Sequence, residues 1–393
     1  MNQKIGKASM KPEWPVYILS SACVVGPKEG EGPLGELFDM VGEDALFGCN
    51  TWEEAESNLQ KNAVFLALGK AGLKPWDISC IFAGDLLGQS IATSFGISSY
   101  EIPLLGLYGA CSTCGESLLL GTVMVAGGFA DKVLCVTSSH FASAEKEFRF
   151  PLEYGNQRPL SAHWTVTGSG AFVLSREATI RKDNDSNGIS SNTMKNAENS
   201  PLSHNTSYDH QKEQKATDVS KNDTQEDTQS DIHARACVTG ITTGKIVDFG
   251  LKDSMNMGAC MAPASASTLE QHFIDFGSQP KDYDKIITGD LGRVGQTVLI
   301  ELLKDRGYDI SAVHMDCGIE IYDEKEQDPH AGGSGCGCSA VTLSAYILKQ
   351  LEEGVWKKVL FMPTGALLSK TSFNEGKSVP GIAHALVLES VKE

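Results

Sequence analysis

Pro75-Trp76-Asp77 leading into Ile81-Phe82-Ala83-Gly84-Asp85-Leu86, and Pro280-Lys281-Asp282 leading into Ile286-Ile287-Thr288-Gly289-Asp290-Leu291, are one passage written twice without a gap. In each copy a short apolar run stops at Gly-Asp, the pattern of a buried parallel strand that ends in a turn. Matched landmarks of this kind are what a duplicated supersecondary unit leaves behind.

Three further pairs flank these passages in the same order. Upstream, Ala22-Cys23-Val24-Val25-Gly26 is echoed by Ala236-Cys237-Val238-Thr239-Gly240. Downstream, a helix-length segment and Gly128-Phe129-Ala130-Asp131-Lys132-Val133-Leu134 are echoed before Gly354-Val355-Trp356-Lys357-Lys358-Val359-Leu360, the glycine stopping a helix ahead of a strand. Ala171-Phe172-Val173-Leu174 and Ala385-Leu386-Val387-Leu388 supply a closing strand to each half. Alternating β and α units predict mostly parallel sheets covered by helices. Two such halves, 1–180 and 232–393, can share their innermost helices, which predicts a duplicated five-layered αβαβα fold with two mostly parallel sheets. Between them, 181–231 is rich in Asn, Ser, Asp, Thr, Gln and Lys without aliphatic periodicity and is expected to be a disordered polar insertion.

At 393 residues and 41% hydrophobic, the chain can bury a large core. A formal charge of −17 argues against nucleic acid or an anionic membrane as the main electrostatic partner. An anionic ligand therefore requires a locally basic pocket. The 11 cysteines are scattered and odd in number, and Met1 to Lys11 is polar, so a reducing cytoplasm and no signal peptide are expected. The longest apolar stretch, Ser117 to Gly128, falls short of the ~20 residues that span a bilayer, so any membrane association is expected to be peripheral.

Pro103 to Ser117 runs from a predicted strand through the small-residue turn Gly109-Ala110-Cys111-Ser112 into an apolar helix expected to be buried all round. A thiol at such a helix start meets unpaired N–H groups, which favour thiolate and make the spot suit either a nucleophile or the floor of a binding site. The plain alternative is a buried cysteine acting as a small hydrophobe. Cys111 with Cys114, together with Cys336 and Cys338, also permits a redox or zinc reading.

Gly109-Ala110-Cys111-Ser112, the apolar helix, Gly128 with Ala130-Asp131, and Thr165 with Thr167-Gly168-Ser169-Gly170-Ala171 resemble the thiolase and β-ketoacyl synthase superfamily, in which Cys111 matches the nucleophile. Val136-Thr137-Ser138-Ser139-His140-Phe141, Val238 to Lys245 and Ala331 to Cys338 resemble more closely the stage V sporulation protein AD family of spore-forming bacteria. That resemblance implies a thiolase-like protein that binds dipicolinic acid or its calcium chelate. It further implies work with other stage V sporulation protein A operon products that form a membrane channel, on the cytoplasmic side of the spore inner membrane. A homodimer is the superfamily's habit.

Claisen-type chemistry needs second-half groups for proton transfer and oxyanion binding. Where synthases carry a histidine this chain has Thr288-Gly289-Asp290, and Met362-Pro363-Thr364-Gly365-Ala366 lacks the second cysteine of thiolases. Both positions read as empty, which leaves His330, in an acidic turn-rich stretch, as the remaining candidate or as an ordinary loop residue. The expectation is a non-catalytic binding site with no cofactor of its own, the alternative an acyltransferase using Cys111. Ser138, Ser139 and His140 end a predicted parallel strand, the edge at which open α/β sheets place ligands, and are the expected contacts beside Cys111. Arg149 is the expected carboxylate partner, in a loop that also carries Lys146, Arg158, His163, Phe148, Phe150 and Tyr154. Each of these cations reads equally as a solvated surface charge.

Overall fold

The computed structural model describes residues 3–148, 158–180 and 231–391. Met1–Thr179 and His233–Glu393 form one compact unit, and Ile180–Ile232 a second of which only Ile180, Asp231 and Ile232 are described. The expected polar insertion over 181–231 therefore lies, Asp231 apart, outside the described residues, as does Arg149.

In the first half the main elements are β1 (Val16–Val25), α1 (Trp52–Lys70), β2 (Cys80–Gly84), β3 (Leu104–Gly106), α2 (Thr113–Ala126), β4 (Lys132–Ser139), α3 (Phe141–Phe148) and β5 (Gly168–Ser175). The second half supplies β6 (Ala236–Thr242), α4 (Met257–Phe276), β7 (Lys285–Thr288), α5 (Gly292–Lys304), β8 (His314–Asp316), α6 (Cys336–Thr342), β9 (Lys358–Met362) and β10 (Ala385–Glu389). Strand order is β3-β2-β4-β5-β1 in one half and β8-β7-β9-β10-β6 in the other. In each half four strands point the same way, and the last, β5 or β10, is inserted antiparallel between the first and the middle strand.

Strand pairing fixes how the copies align. Ile81 pairs with Leu134 and Ile286 with Leu360; Val133 faces Leu174 and Val359 faces Leu388. The short helical turns Pro75–Asp77 and Pro280–Asp282 are capped alike, Asp77 accepting from the Lys74 amide and Asp282 from the Gln279 amide. Three of the four sequence echoes are thus in register. The first is not: Ala22 faces Ala171 while Thr242 faces Ala385, so Ala236 is equivalent to Val16 and the echo is displaced by six residues. The slide crosses an irregularity that shifts the alternation by one residue, so Ala236 and Val238 share the core cluster of Val16, Ile18, Cys23 and Val25, whereas Ala22 and Val24, their counterparts in the echo, alternate with Cys23 and Val25. Even the irregularity recurs, between Ile18 and Ser20 in β1 and between Val238 and Gly240 in β6.

Helices form five layers with the sheets. α1 covers the outer face of the first sheet, packing on β1, β4 and β5, and starts at Thr51, whose hydroxyl accepts from the Glu54 amide. α4 covers the outer face of the second sheet with α5 beside it. Between the sheets lie α2, against β2, β4 and β10, and α6, against β1, β4 and β5 of the opposite half. Gly170 lets α6 come this close, because a Cβ there would lie 2.8 Å from the Ala340 Cβ. α2 is less uniformly enclosed than its composition suggests, since Glu116, Leu120, Val123 and Met124 keep partial access to solvent. The two sheets join edge to edge at Ala236–Ile18, Cys237–Tyr17 and Val238–Val16, making one continuous ladder. Among the described residues no helix is long and apolar enough to cross a membrane.

Candidate functional site

The site is built where the C-terminal ends of the two sheets meet the start of α2. After β3 the Leu107 amide is still held by the Ala83 carbonyl at 2.8 Å, then the chain turns through Ala110, which sits in the left-handed region at φ 51°. That conformation costs an L-residue roughly 1–2 kcal/mol. Hydroxyls clamp the turn: Ser112 donates to the Gly109 carbonyl at 2.7 Å, and Thr113 donates to the Ala110 carbonyl at 2.7 Å while accepting from the Gly109 amide at 3.0 Å. The turn presents Cys111, 6% exposed, to a cluster with Leu86, Ala144 and Cys336.

From the other half, the turn after β7 delivers Asp290. Its Oδ1 accepts from Thr364 Oγ1 at 2.6 Å and its Oδ2 from the Gly335 amide at 3.1 Å, and its carboxyl lies close enough to the Cys111 thiol to oppose that thiol's ionisation. Gly335 is required at that point: it has φ 104°, and a Cβ would approach Ser139 Oγ to 2.5 Å. Burial raises the Asp290 pKa to about 7 against the partly offsetting hydrogen bonds, with nearby Asp316 adding a smaller push. Asp316 is itself raised to about 6 by burial, and accepts from Thr288 Oγ1 at 2.6 Å and from the Leu291 and Gly292 amides.

The positions that lack the superfamily's histidine and second cysteine, at Asp290 and Thr364, carry a carboxyl and a hydroxyl hydrogen-bonded to each other. One expectation is corrected: the helix start does not favour a thiolate. Burial, followed by the Asp290 charge, holds the Cys111 thiol well above its ordinary pKa, and the helix dipole does not overcome them. The signal for Asp290 was present as the repeated Gly-Asp, but what the aspartate touches depends on how the halves meet.

The cavity over Cys111 is small, about 40 Å³, and is walled by Leu86, Tyr108, Phe148, Met257 and Leu368, with Thr165 and Ser334 as polar neighbours. Of the expected contacts, Cys111 lines it. Ser138, Ser139 and His140 do not: Ser138 donates to Glu56 Oε1 at 3.0 Å, Ser139 donates to the Val166 carbonyl at 2.7 Å, and His140 Nε2 lies 2.7 Å from the Ala45 carbonyl. Burial lowers the His140 pKa, so the ring is neutral near pH 7. Lys146 pairs with Glu53 at 2.6 Å, and His163 is buried with Nε2 3.1 Å from the Leu291 carbonyl. His330 stands apart in a left-handed turn, bonded to the Pro159 carbonyl at 2.9 Å and paired with Asp328 at 3.5 Å. Cys114 and Cys338 are core residues, and among the described residues no group of three or more His, Cys, Asp and Glu converges to hold a metal.

The fold is shared with condensing enzymes. A 3-oxoacyl-[acyl-carrier-protein] synthase III from Aquifex aeolicus superposes with a TM-score of 0.50 at 10% identity, covering 95% of this chain and 99% of that one. A variant of Xanthomonas campestris OleA gives 0.52 at 13% identity, covering 94% and 96%. At these identities the likeness establishes a thiolase-like architecture and nothing about chemistry. Sequence comparison is more specific. Stage V sporulation protein AD of Bacillus subtilis (strain 168) is 38% identical over 384 residues, 98% of this chain and 97% of that protein. The family model for stage V sporulation protein AD matches residues 6–194 and 190–389. The chain belongs to the stage V sporulation protein AD family, a sporulation family built on a thiolase-like fold.

Proposed function

We propose that the protein is a non-catalytic binding subunit that takes up dipicolinic acid, or its calcium chelate, at the Cys111 cavity and supports its passage into the developing spore. The observation that carries the non-catalytic reading is the Asp290 carboxyl on the Cys111 thiol. Acyl transfer needs an activated thiolate and a partner able to cycle a proton. A buried carboxylate beside the thiol works in the opposite direction, because forming thiolate there places two negative charges in a medium that screens them poorly. Membership of a sporulation family supports the choice of ligand and the expected partnership with other products of the stage V sporulation protein A operon at the spore inner membrane. A homodimer belongs to the same proposal.

At about 40 Å³ the cavity has space for a few waters at most, so a ring bearing two carboxylates enters only as Phe148, Leu86 or Leu368 swings aside. Arg149, outside the described residues, is the proposed carboxylate partner. The test is calorimetric titration with dipicolinic acid, with and without calcium, on wild type, Cys111→Trp and Arg149→Ala. Saturable heat that Cys111→Trp abolishes supports the reading; absence of heat at millimolar ligand, or a thioester on Cys111 after incubation with an acyl-coenzyme A, sinks it and favours the acyltransferase.

A further inference from the structure

The cavity over Cys111 is walled from both halves: Phe148, at the end of α3, belongs to the first and Leu368 to the second. Each stands beside a charge. Glu147 precedes Phe148, Lys370 follows Leu368 by two positions, and Glu147 Oε2 lies 3.5 Å from Lys370 Nζ. This ion pair joins the halves, whereas Lys146–Glu53 and Lys70–Asp39 stay within the first and Arg293–Glu324 and Arg306–Glu270 within the second. The side chains of Glu147 and Lys370 are 42% and 47% exposed, so water and salt screen the pair and it holds weakly. A pair of that kind adds little to folding, but it suits a closure that has to open and shut.

The two walls are held more firmly at their bases than at their tips. α3 is fixed at its start: the Phe141 amide donates to Thr167 Oγ1 at 3.1 Å, and Ser143 donates at 2.7 Å to Oε2 of Glu56, a fully buried residue of α1. Ser138, at the end of β4, donates to the other oxygen of the same carboxyl at 3.0 Å, so one glutamate pins the strand end and the helix start together. Beyond Ser143 the tie to α1 is at the surface, Lys146 to Glu53 at 2.6 Å. In the second half the stretch 367–379 leaves Thr364–Ala366 and returns to Gly381–Ala383, which pair antiparallel with each other. Its ends are held by the Leu367 amide on the Pro380 carbonyl and the Val379 amide on the Leu251 carbonyl, both at 2.8 Å. Between them lies the short helix Lys370–Asn374, none of whose residues is buried. Among the described residues every hydrogen bond of 369–377 stays inside that stretch except the one from Lys370 to Glu147. The stretch is a flap tied at both ends, closed on itself and fastened to the opposite wall at one point.

We propose that the Glu147–Lys370 pair is the latch of a gate over the Cys111 cavity. With the latch shut, Phe148 and Leu368 hold the cavity to about 40 Å³. With it released, the 367–379 flap swings on its two tied ends and carries Leu368 off the cavity, while Glu56 keeps the start of α3 in place. The inference rests on the reading of this cavity as a binding site and deepens it, but it does not depend on which ligand is taken up. Access is then set by charge and ionic strength at two residues that do not themselves line the cavity.

Alkylation of Cys111 by N-ethylmaleimide, a neutral reagent, measures access without any ligand. Peptide mass spectrometry separates Cys111 from Cys114, which is fully buried in the core and serves as the control. Lys370→Glu and Glu147→Lys each set like charges against each other and should speed Cys111 modification roughly threefold or more, while the double reversal should restore the wild-type rate. The two single reversals change the local field in opposite directions, so a shared acceleration reports access and not thiol ionisation. Raising salt from about 50 mM to about 500 mM should speed the reaction in wild type and leave Lys370→Met unchanged. Single reversals that react at the wild-type rate overturn the proposal. So does a double reversal as fast as the singles, or a parallel rise at Cys114, which marks loosening of the whole fold. Titration with dipicolinic acid is the separate check: if rates follow the latch but nothing binds, the binding reading falls and the gate stands, and if ligand binds while rates ignore both charges, the gate alone falls.

Discussion

Asp85 and Asp290 occupy the same place in the two halves, each following the glycine that ends an equivalent strand, yet they are used differently. Asp85 closes its own turn: Oδ1 accepts from the Leu87 amide at 2.9 Å, and Oδ2 from the Thr93 amide at 2.8 Å and Thr93 Oγ1 at 2.6 Å. Its bonds stay within a few residues of itself. Asp290 reaches Thr364 and Gly335 instead, and through its thiol contact crosses to the other half. The duplication supplied two buried carboxyls; one became scaffold, and the other was free to face the site.

The comparison predicts unequal costs. Asp85→Ala strips the acceptor from two buried amides and a hydroxyl and should lower stability by about 3 kcal/mol in urea unfolding. Asp290→Ala removes a poorly solvated carboxyl and should cost less than half of that; equal losses would erase the distinction between scaffold and site. The pH dependence sharpens it next. Asp290 has a folded pKa of about 7 against an ordinary 3.8, so its contribution is fully present below about pH 4 and is lost as pH rises toward 7. Over that interval the unfolding free energy of wild type should fall by roughly 4 kcal/mol more than that of Asp290→Asn. Parallel curves would mean that Asp290 is ionised in the fold.

A smaller effect should appear at the thiol. Asp290→Asn keeps the shape but removes the charge, so iodoacetamide should alkylate Cys111 about tenfold faster at pH 8, the equivalent of one pKa unit. Peptide mass spectrometry locates the adduct, and an unchanged rate would show that burial alone sets the thiol. Least affected should be His330→Ala, within about 0.5 kcal/mol in stability and without change in ligand binding, because among the described residues its polar partners are the Pro159 carbonyl and Asp328 of its own loop.

Much of the architecture is legible from periodicity, because buried strands, glycine stops and the helical turns at Pro75 and Pro280 each have local chemical causes. The six-residue slide between β1 and β6 escaped because an irregularity inside each strand shifts the alternation by one residue, and only the partner strands β5 and β10 fix the register. At the site, Cys111 is marked by its own turn. Asp290 is marked as a residue but not as a neighbour, since its contact spans 179 positions and is made by the packing of α2 and α6 between the sheets. Ser138, Ser139 and His140 show the reverse error of locality. They do end a strand at the expected sheet edge, but the glutamate of α1, the Val166 carbonyl and the Ala45 carbonyl claim their polar atoms first.

The three residue pairs that join the sheets have a consequence for synthesis on the ribosome. The outer edge of β1 is covered at Val24–Val25 by Met40–Val41 from its own half, but at Val16–Ile18 it waits for Ala236–Val238. A nascent chain that has finished β5 therefore carries an unpaired, apolar strand edge for as long as it takes to make the next sixty or so residues. Premature release in that interval should yield fragments that stick edge to edge, and the cell's tolerance of the long stretch between the halves depends on how quickly β6 arrives to cover that edge.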